Sequence, residues 1–150
     1  MLAKDIMTKN PITTTPEAMI EDVIKTLVEN KISGLPVVDE NNHVVGIISE
    51  KDLMLKATEL KIPFYVTLFD SIIFLENPVR FNNELKKYIA NQVKDAMTKK
   101  VITVDVNAPM AEVVELIQKK KVNRLPVVNN DKLVGIITRN DVLKAISDVF

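Results

Sequence analysis

Ser49 with Asp52, and Thr138 with Asp141, are the side chains whose types and spacing best suit chemistry in this 150-residue sequence. Each pair follows a Gly-Ile-Ile run and precedes a stretch of helical pattern. A strand end that opens into a helix is a good ligand position in an α/β unit. A carboxylate on that first turn can accept from two vicinal hydroxyls of a ribose, and the helix N-terminus favours a phosphate. The same spacing also makes a capping box, in which both side chains satisfy backbone N–H groups. Caps are the commoner use of Ser/Thr-x-x-Asp, so the spacing alone leaves both roles open.

Other chemistry finds little support. There is no cysteine, which excludes disulfides, thiol catalysis and Cys-based metal sites. His43 is the only histidine and sits in a polar turn, where solvation is the ordinary fate. No Gly-rich phosphate loop, His-Glu metal pair or nucleophile elbow occurs, so no catalytic residue and no metal site is expected. The formal net charge is zero, which gives no broad electrostatic footprint for nucleic acid or an anionic membrane. Lys119, Lys120 and Lys121 close a helical stretch, where cations suit the negative end of the dipole. The N-terminus lacks an apolar h-region, so no secretion signal is inferred and a cytoplasmic location is the default expectation.

The elements that must position these pairs occur twice. Gly34 to Leu53 reads GLPVVDENNHVVGIISEKDL, and Arg124 to Leu143 reads RLPVVNNDKLVGIITRNDVL. Upstream, Lys4-Asp5-Ile6-Met7-Thr8-Lys9 matches Lys94-Asp95-Ala96-Met97-Thr98-Lys99, and Ile12-Thr13 matches Ile102-Thr103. The first copy has one extra residue in its polar turn. Two supersecondary units in tandem follow from this self-similarity. A unit of about 60 residues is marginal alone, so the pair is expected to pack together or share a core. The order per unit is strand, helix, strand, strand, helix. Ile12 to Thr14 is read as the first strand, with Thr15 as N-cap and Pro16 as first helical residue. Ile20, Val23, Ile24, Leu27 and Val28 then recur at helical spacing, as do Met110, Val113, Val114 and Ile117 after Pro109. Leu35–Val38 with Val44–Ile48, and Leu125–Val128 with Leu133–Ile137, read as hairpins. Their runs are nearly all apolar, which predicts cover on both faces.

The division is residues 1–57, an insertion or linker at 58–93, and residues 94–150. Six of the seven aromatics fall in the insertion, Phe64, Tyr65, Phe69, Phe74, Phe81 and Tyr88. Its apolar segment, Ile62 to Leu75, is too short to span a bilayer, which takes about 20 residues. A helical insertion is expected, either packed on the module's own core or forming a subunit contact. Pro78 marks a break before a more polar helix, Phe81 to Ala96.

The doubled Leu-Pro-Val-Val and Gly-Ile-Ile-(Ser/Thr)-x-x-Asp resembles a tandem pair of cystathionine β-synthase (CBS) domains, a Bateman module, over all but the insertion. The resemblance implies an α/β fold of two repeats packed side by side with two clefts, many of which bind adenosine-containing ligands. It implies that Asp52 and Asp141 hold ribose hydroxyls, with Ser49 and Thr138 beside them. Backbone around Thr13 and Thr103, around Gly34-Leu35-Pro36, and around Arg124-Leu125-Pro126 would frame the adenine. AMP, ADP, ATP and S-adenosylmethionine are the candidate ligands, and no required cofactor is implied. Arg124 and Arg139 stand where the first copy has Gly34 and Glu50, so the second copy's site is expected to favour phosphate. The functional expectation is a non-catalytic regulatory module. It would be a homodimer that binds an adenosyl ligand and signals to a separate effector protein. A ligand-free dimerisation or scaffold module is the alternative.

Overall fold

The computed structural model describes residues 1–57, 65–74 and 78–150. The first repeat holds α1 (Ala3–Ile6), β1 (Thr8–Lys9), α2 (Ile20–Asn30), β2 (Gly34–Val38), β3 (Val44–Ser49) and α3 (Glu50–Ala57). The insertion holds β4 (Tyr65–Leu68), β5 (Ser71–Phe74) and α4 (Pro78–Ile89). After a 3-10 turn at Val93–Asp95, the second repeat holds β6 (Val104–Asp105), α5 (Met110–Lys120), β7 (Arg124–Asn129), β8 (Lys132–Thr138) and α6 (Arg139–Ser147). The chain is thus α/β, with two repeats side by side.

Each repeat carries its own core instead of sharing one. Leu125, Val127, Ile137, Val113 and Ile117 gather in one, and Leu35, Val37, Ile48, Ile20, Val23 and Leu27 in the other. Burying such a side chain stabilises by about 1.5–3 kcal/mol. Cover on both faces holds for β2, whose residues are all buried, and for the centre of β7. It does not hold for β3 and β8, where burial alternates along the strand. Val28, expected on the buried face of α2, is 73 % exposed, at the rim of an apolar groove between α2, α3 and α4.

The two lead-ins cross over. β1 pairs antiparallel with β8 of the second repeat, giving a sheet in the order β1-β8-β7-β6. Reciprocally, Thr98 bridges Ile47 of β3, through mutual backbone hydrogen bonds of 2.8 and 2.9 Å. Ala3 joins the second repeat's core and Val93 the first's. The crossing also settles how the long helices begin. The Ile20 N–H donates to Asn91 O at 2.9 Å, and the Met110 N–H to Met1 O at 3.0 Å. Met19 and Pro109 are the N-caps and make no side-chain cap bond. Thr15 and Pro16 therefore do not open α2, contrary to expectation. A carbonyl from the segment leading into the other copy serves the first orphan N–H of each helix. Ile12 to Thr14 likewise reduces to one parallel bridge, Thr14 to Val37.

The extra residue in the first hairpin turn has a use. Asn42, at φ 62°, donates from Nδ2 to Leu133 O at 2.9 Å and accepts the Leu133 N–H at 3.1 Å. That longer turn ties the first hairpin to the second.

The insertion corrects the expectation of a helix from Ile62 to Leu75. Its described part is a hairpin, with Phe69 and Asp70 both at positive φ in a two-residue turn. That turn matches the twist of paired strands, and β-branched Thr67, Ile72 and Ile73 suit a pleated surface. Phe64 lies outside the described residues. The following helix begins at Pro78, not Phe81, because proline has no N–H to leave unsatisfied at a first position. It ends at Ile89, not Ala96, and Gln92 pairs with Met19.

The crossover is testable at Gly135. A Cβ there would meet the Met7 side chain and lie 3.0 Å from the Thr8 carbonyl oxygen. Gly135→Ala is expected to lower stability by about 1–3 kcal/mol, as overpacking does. Met7→Ala in the same chain recovers part of that loss in a denaturant double-mutant cycle, because the thioether can be removed and the backbone cannot.

Candidate functional site

Two clefts lie between the repeats, related by the duplication. One, of about 790 Å³, is lined by Thr138, Arg139 and Asp141 from the second repeat. Asn10, Pro11, Ile12, Ser33, Gly34, Pro36 and Glu50 face them from the first. The other, of about 370 Å³, is lined by Ser49, Lys51 and Asp52 opposite Lys100, Val101, Ile102, Lys121 and Arg124. Arg124 also lines the larger cleft.

The hydroxyl–carboxylate pairs form the capping boxes that their spacing allowed. Asp141 Oδ2 accepts from the Thr138 N–H at 2.7 Å and from Thr138 Oγ1 at 2.8 Å. Thr138 Oγ1 accepts in turn from the Asp141 N–H at 3.3 Å. Ser49 and Asp52 repeat the arrangement at 3.0, 3.0 and 3.4 Å. The cap uses one carboxylate oxygen and leaves the other. In the smaller cleft Asp52 Oδ1 accepts from Thr98 Oγ1 at 2.8 Å. Among the described residues, Asp141 Oδ1 has no such partner. Thr8, the counterpart of Thr98, lines that cleft without bonding to it. Capping and ligand binding are therefore compatible at Asp141.

The remaining expected residues divide. Gly34, Pro36, Arg124, Thr138, Arg139 and Asp141 meet in the larger cleft, and Ser49, Asp52 and Arg124 in the smaller. Leu35 and Leu125 are core residues, 1 % and 0 % exposed, and their side chains cannot touch a ligand. Pro126 is buried as well, and it lines neither cleft. Thr13 and Thr103 are exposed outside both linings, although their neighbours Ile12 and Ile102 line one each.

Charge is distributed by cleft and not by copy. The larger cleft sets Lys31, Arg124 and Arg139 against Glu50 and Asp141. The smaller sets Lys51, Lys100, Lys121 and Arg124 against Asp52 alone. Arg124 and Arg139, expected to favour phosphate at the second copy's site, both line the larger cleft, and Arg124 lines the smaller as well. Each cleft draws residues from both copies, and Lys100 and Lys121 come to the Asp52 side. Lys121 is expected only as a cation closing a helix, and Lys31 carries no expectation from the sequence. Both sit in left-handed C-cap conformation, at φ 53° and 52°, directly before Ile-Ser-Gly-Leu-Pro and Val-Asn-Arg-Leu-Pro. Their place at equivalent points of the repeat was the available signal. Burial lowers the Arg124 pKa from its ordinary value, and the charges of Glu50 and Asp52 oppose that shift. Arg124 stays cationic, since guanidinium does not deprotonate in proteins. His43 lies 3.6 Å from Asp39 in its turn. Among the described residues no cluster of His, Cys, Asp and Glu could hold a metal ion.

The cap component can be measured separately from any ligand. Thr138→Ala removes the hydroxyl that accepts from the Asp141 N–H, and is expected to cost about 1 kcal/mol in urea denaturation. Fluorescence offers no tryptophan, so far-UV circular dichroism is the readout.

Comparison with known proteins places this geometry. The CBS domain family matches residues 3–59 and again residues 93–148. An uncharacterised protein of Methanocaldococcus jannaschii, MJ1426, is 34% identical over 154 residues, covering 97% of this chain and 91% of that protein. The chloroplastic CBS domain-containing protein CBSX2 of Arabidopsis thaliana is 34% identical over 136 residues, 87% of this chain but only 56% of that protein. The crystal structure of CBSX2 in complex with AMP superposes with a TM-score of 0.75 at 29% identity, covering 99% of this chain and 97% of that one. The CBS domain pair of protein MJ0100, in complex with 5′-methylthioadenosine and S-adenosyl-L-methionine, gives 0.71 at 26% identity, covering 100% and 98%. The two matched stretches are the two repeats with their crossed lead-ins, and the chain belongs to the CBS domain family as a tandem pair of such domains.

Proposed function

We propose that this CBS pair is a non-catalytic sensor that binds an adenosyl compound, AMP, ADP, ATP or S-adenosylmethionine, in the clefts between its repeats. One observation carries the reading. Asp141 lines a cleft of about 790 Å³, with Oδ2 held by its own cap and Oδ1 without a hydrogen-bond partner among the described residues. That size lies within the range of small-molecule sites. A fixed carboxylate oxygen accepts from ribose hydroxyls without further ordering. Ile12, Pro36 and Ile136 offer apolar surface to a base, and Arg139 with Arg124 offers charge to a phosphate. Two structural relatives bound to adenosyl compounds support the same reading. Binding would bias the relative placement of the repeats by its differential affinity for each arrangement, and a separate effector protein would read it.

The test is a melting screen against those four compounds. A ligand at about 100 times its dissociation constant adds about 2.7 kcal/mol. Asp141→Ala is expected to lose about 1 kcal/mol of cap stability. By calorimetry it also loses more than about tenfold in nucleoside affinity, or about 1.4 kcal/mol. Unchanged affinity would remove Asp141 from the site, and no shift with any of the four would leave the ligand-free scaffold reading.

We also propose a homodimer to which the insertion contributes. Phe69 is 95 % exposed at the tip of the β4–β5 hairpin, with Ile72 at 61 % and Ile73 at 45 % beside it. This two-stranded sheet pairs with no other strand among the described residues, so a symmetric partner could cover both its edge and its apolar tip. Sedimentation equilibrium is expected to give a dimer at micromolar concentration. Phe69→Glu with Ile72→Glu shifts it toward monomer, whereas a folded, fully dimeric variant would move the interface elsewhere.

A further inference from the structure

Gly34 and Arg124 are the same position in the two copies, one residue before Leu-Pro. The fold brings them against each other. A Cβ on Gly34 would lie 2.7 Å from Arg124 Cζ, 2.8 Å from Nη1 and 2.9 Å from Nε. Gly34 does not have positive φ, so the space of its missing side chain is what the fold uses. The Arg124 guanidinium crosses from β7 into that space and donates from Nη2 to Ser33 Oγ at 2.6 Å. There it lines both clefts. Glu50, which draws on its charge, lines the larger cleft, and Asp52, which also does, lines the smaller. An arginine at both positions would put two cations in one space. The copies can therefore supply one guanidinium for two clefts.

We propose that Arg124 is a shared oxyanion-binding group, for which phosphate-bearing ligands in the two clefts compete. A guanidinium grips one oxyanion in bidentate fashion at a time. Once one cleft takes it, the other loses its central cation. The larger cleft is then left with Lys31 and Arg139 against two carboxylates, and the smaller with three lysines against Asp52. Occupancy of either cleft must weaken the other by the same factor, because linkage is reciprocal. As a statement about nucleotides this rests on the adenosyl reading above, whereas its oxyanion core does not.

Inorganic pyrophosphate is the probe that separates the two. Its titration is followed by amide NMR at Asn140 for the larger cleft and Lys51 for the smaller. In the native chain the first equivalent is expected to bind at least about tenfold more tightly than the second. In Arg124→Gln the first step weakens by about tenfold, and filling one cleft no longer weakens the other. Gly34→Ala keeps the guanidinium but drives it from the shared space, and is expected to uncouple the two clefts in the same way. Because that variant retains every charge, it guards against a loss caused by Arg124→Gln unfolding. Pyrophosphate steps unchanged in both variants, a loss confined to one cleft, or no binding by the native chain each overturn the sharing. Adenosine is titrated in parallel. Coupled pyrophosphate binding with no adenosine binding sinks the adenosyl reading alone. Adenosine binding with uncoupled pyrophosphate sinks the sharing alone.

Discussion

The exchange of lead-ins is the constraint on which the rest of the molecule depends. Each of the two long helices starts with an N–H that its own repeat leaves unserved. The carbonyl that serves it comes from the other copy's lead-in, Asn91 for Ile20 and Met1 for Met110. The same segments supply a backbone partner to β8 and to β3, and they place Met7 over Gly135 and Met97 over Gly46. A buried backbone group without a partner costs about 1–3 kcal/mol, so neither repeat can easily dispense with the other. The cores are separate, but the hydrogen bonding that completes them is mutual. The clefts lie along the resulting seam, which explains why each is lined from both copies.

That seam also explains how one sequence signature serves two purposes. Ser49-x-x-Asp52 and Thr138-x-x-Asp141 cap α3 and α6, and the cap fixes the carboxylate by bonding only Oδ2. The second oxygen is set by what crosses the seam. Thr98 reaches Asp52 Oδ1, whereas Thr8 leaves Asp141 Oδ1 unbonded. Two nearly identical motifs thereby present different surfaces to a ligand. The difference arises in the lead-ins, far away in sequence from either motif. Preorganisation of this kind keeps the acceptor rigid, which reduces the ordering cost of binding.

Repetition made much of this legible. Doubled apolar runs predicted β2, β3, β7 and β8 to within a residue or two, because a hairpin is a local object whose turn and strands are adjacent in the chain. The capping pairs were legible for the same reason, their groups being three positions apart. The insertion misled, since an apolar run of mixed aromatic and β-branched residues suits either a helix or a strand. Asp70, in the middle of that run, marked the turn that split it. The resemblance assigned the Leu-Pro segments to the site through their backbone, and the Leu35 and Leu125 side chains serve the repeat cores.

The sequence by itself determined the duplication, the hairpins, the helix-opening carboxylates and the positions where the copies disagree. Those are properties of residue type and short spacing, which fix local geometry without knowledge of partners. Tertiary structure alone decided which residues share a cleft. Asp141 meets Gly34 and Ile12, Asp52 meets Lys100 and Lys121, and Arg124 meets both sets. These groups lie tens of residues apart, and the crossed lead-ins choose among the pairings that two similar repeats would otherwise permit. The charge of each cleft follows from that choice. A sum taken along either copy assigns Arg124 and Arg139 to one site, whereas folding gives Arg124 to both because the opposite copy has only a glycine in its place.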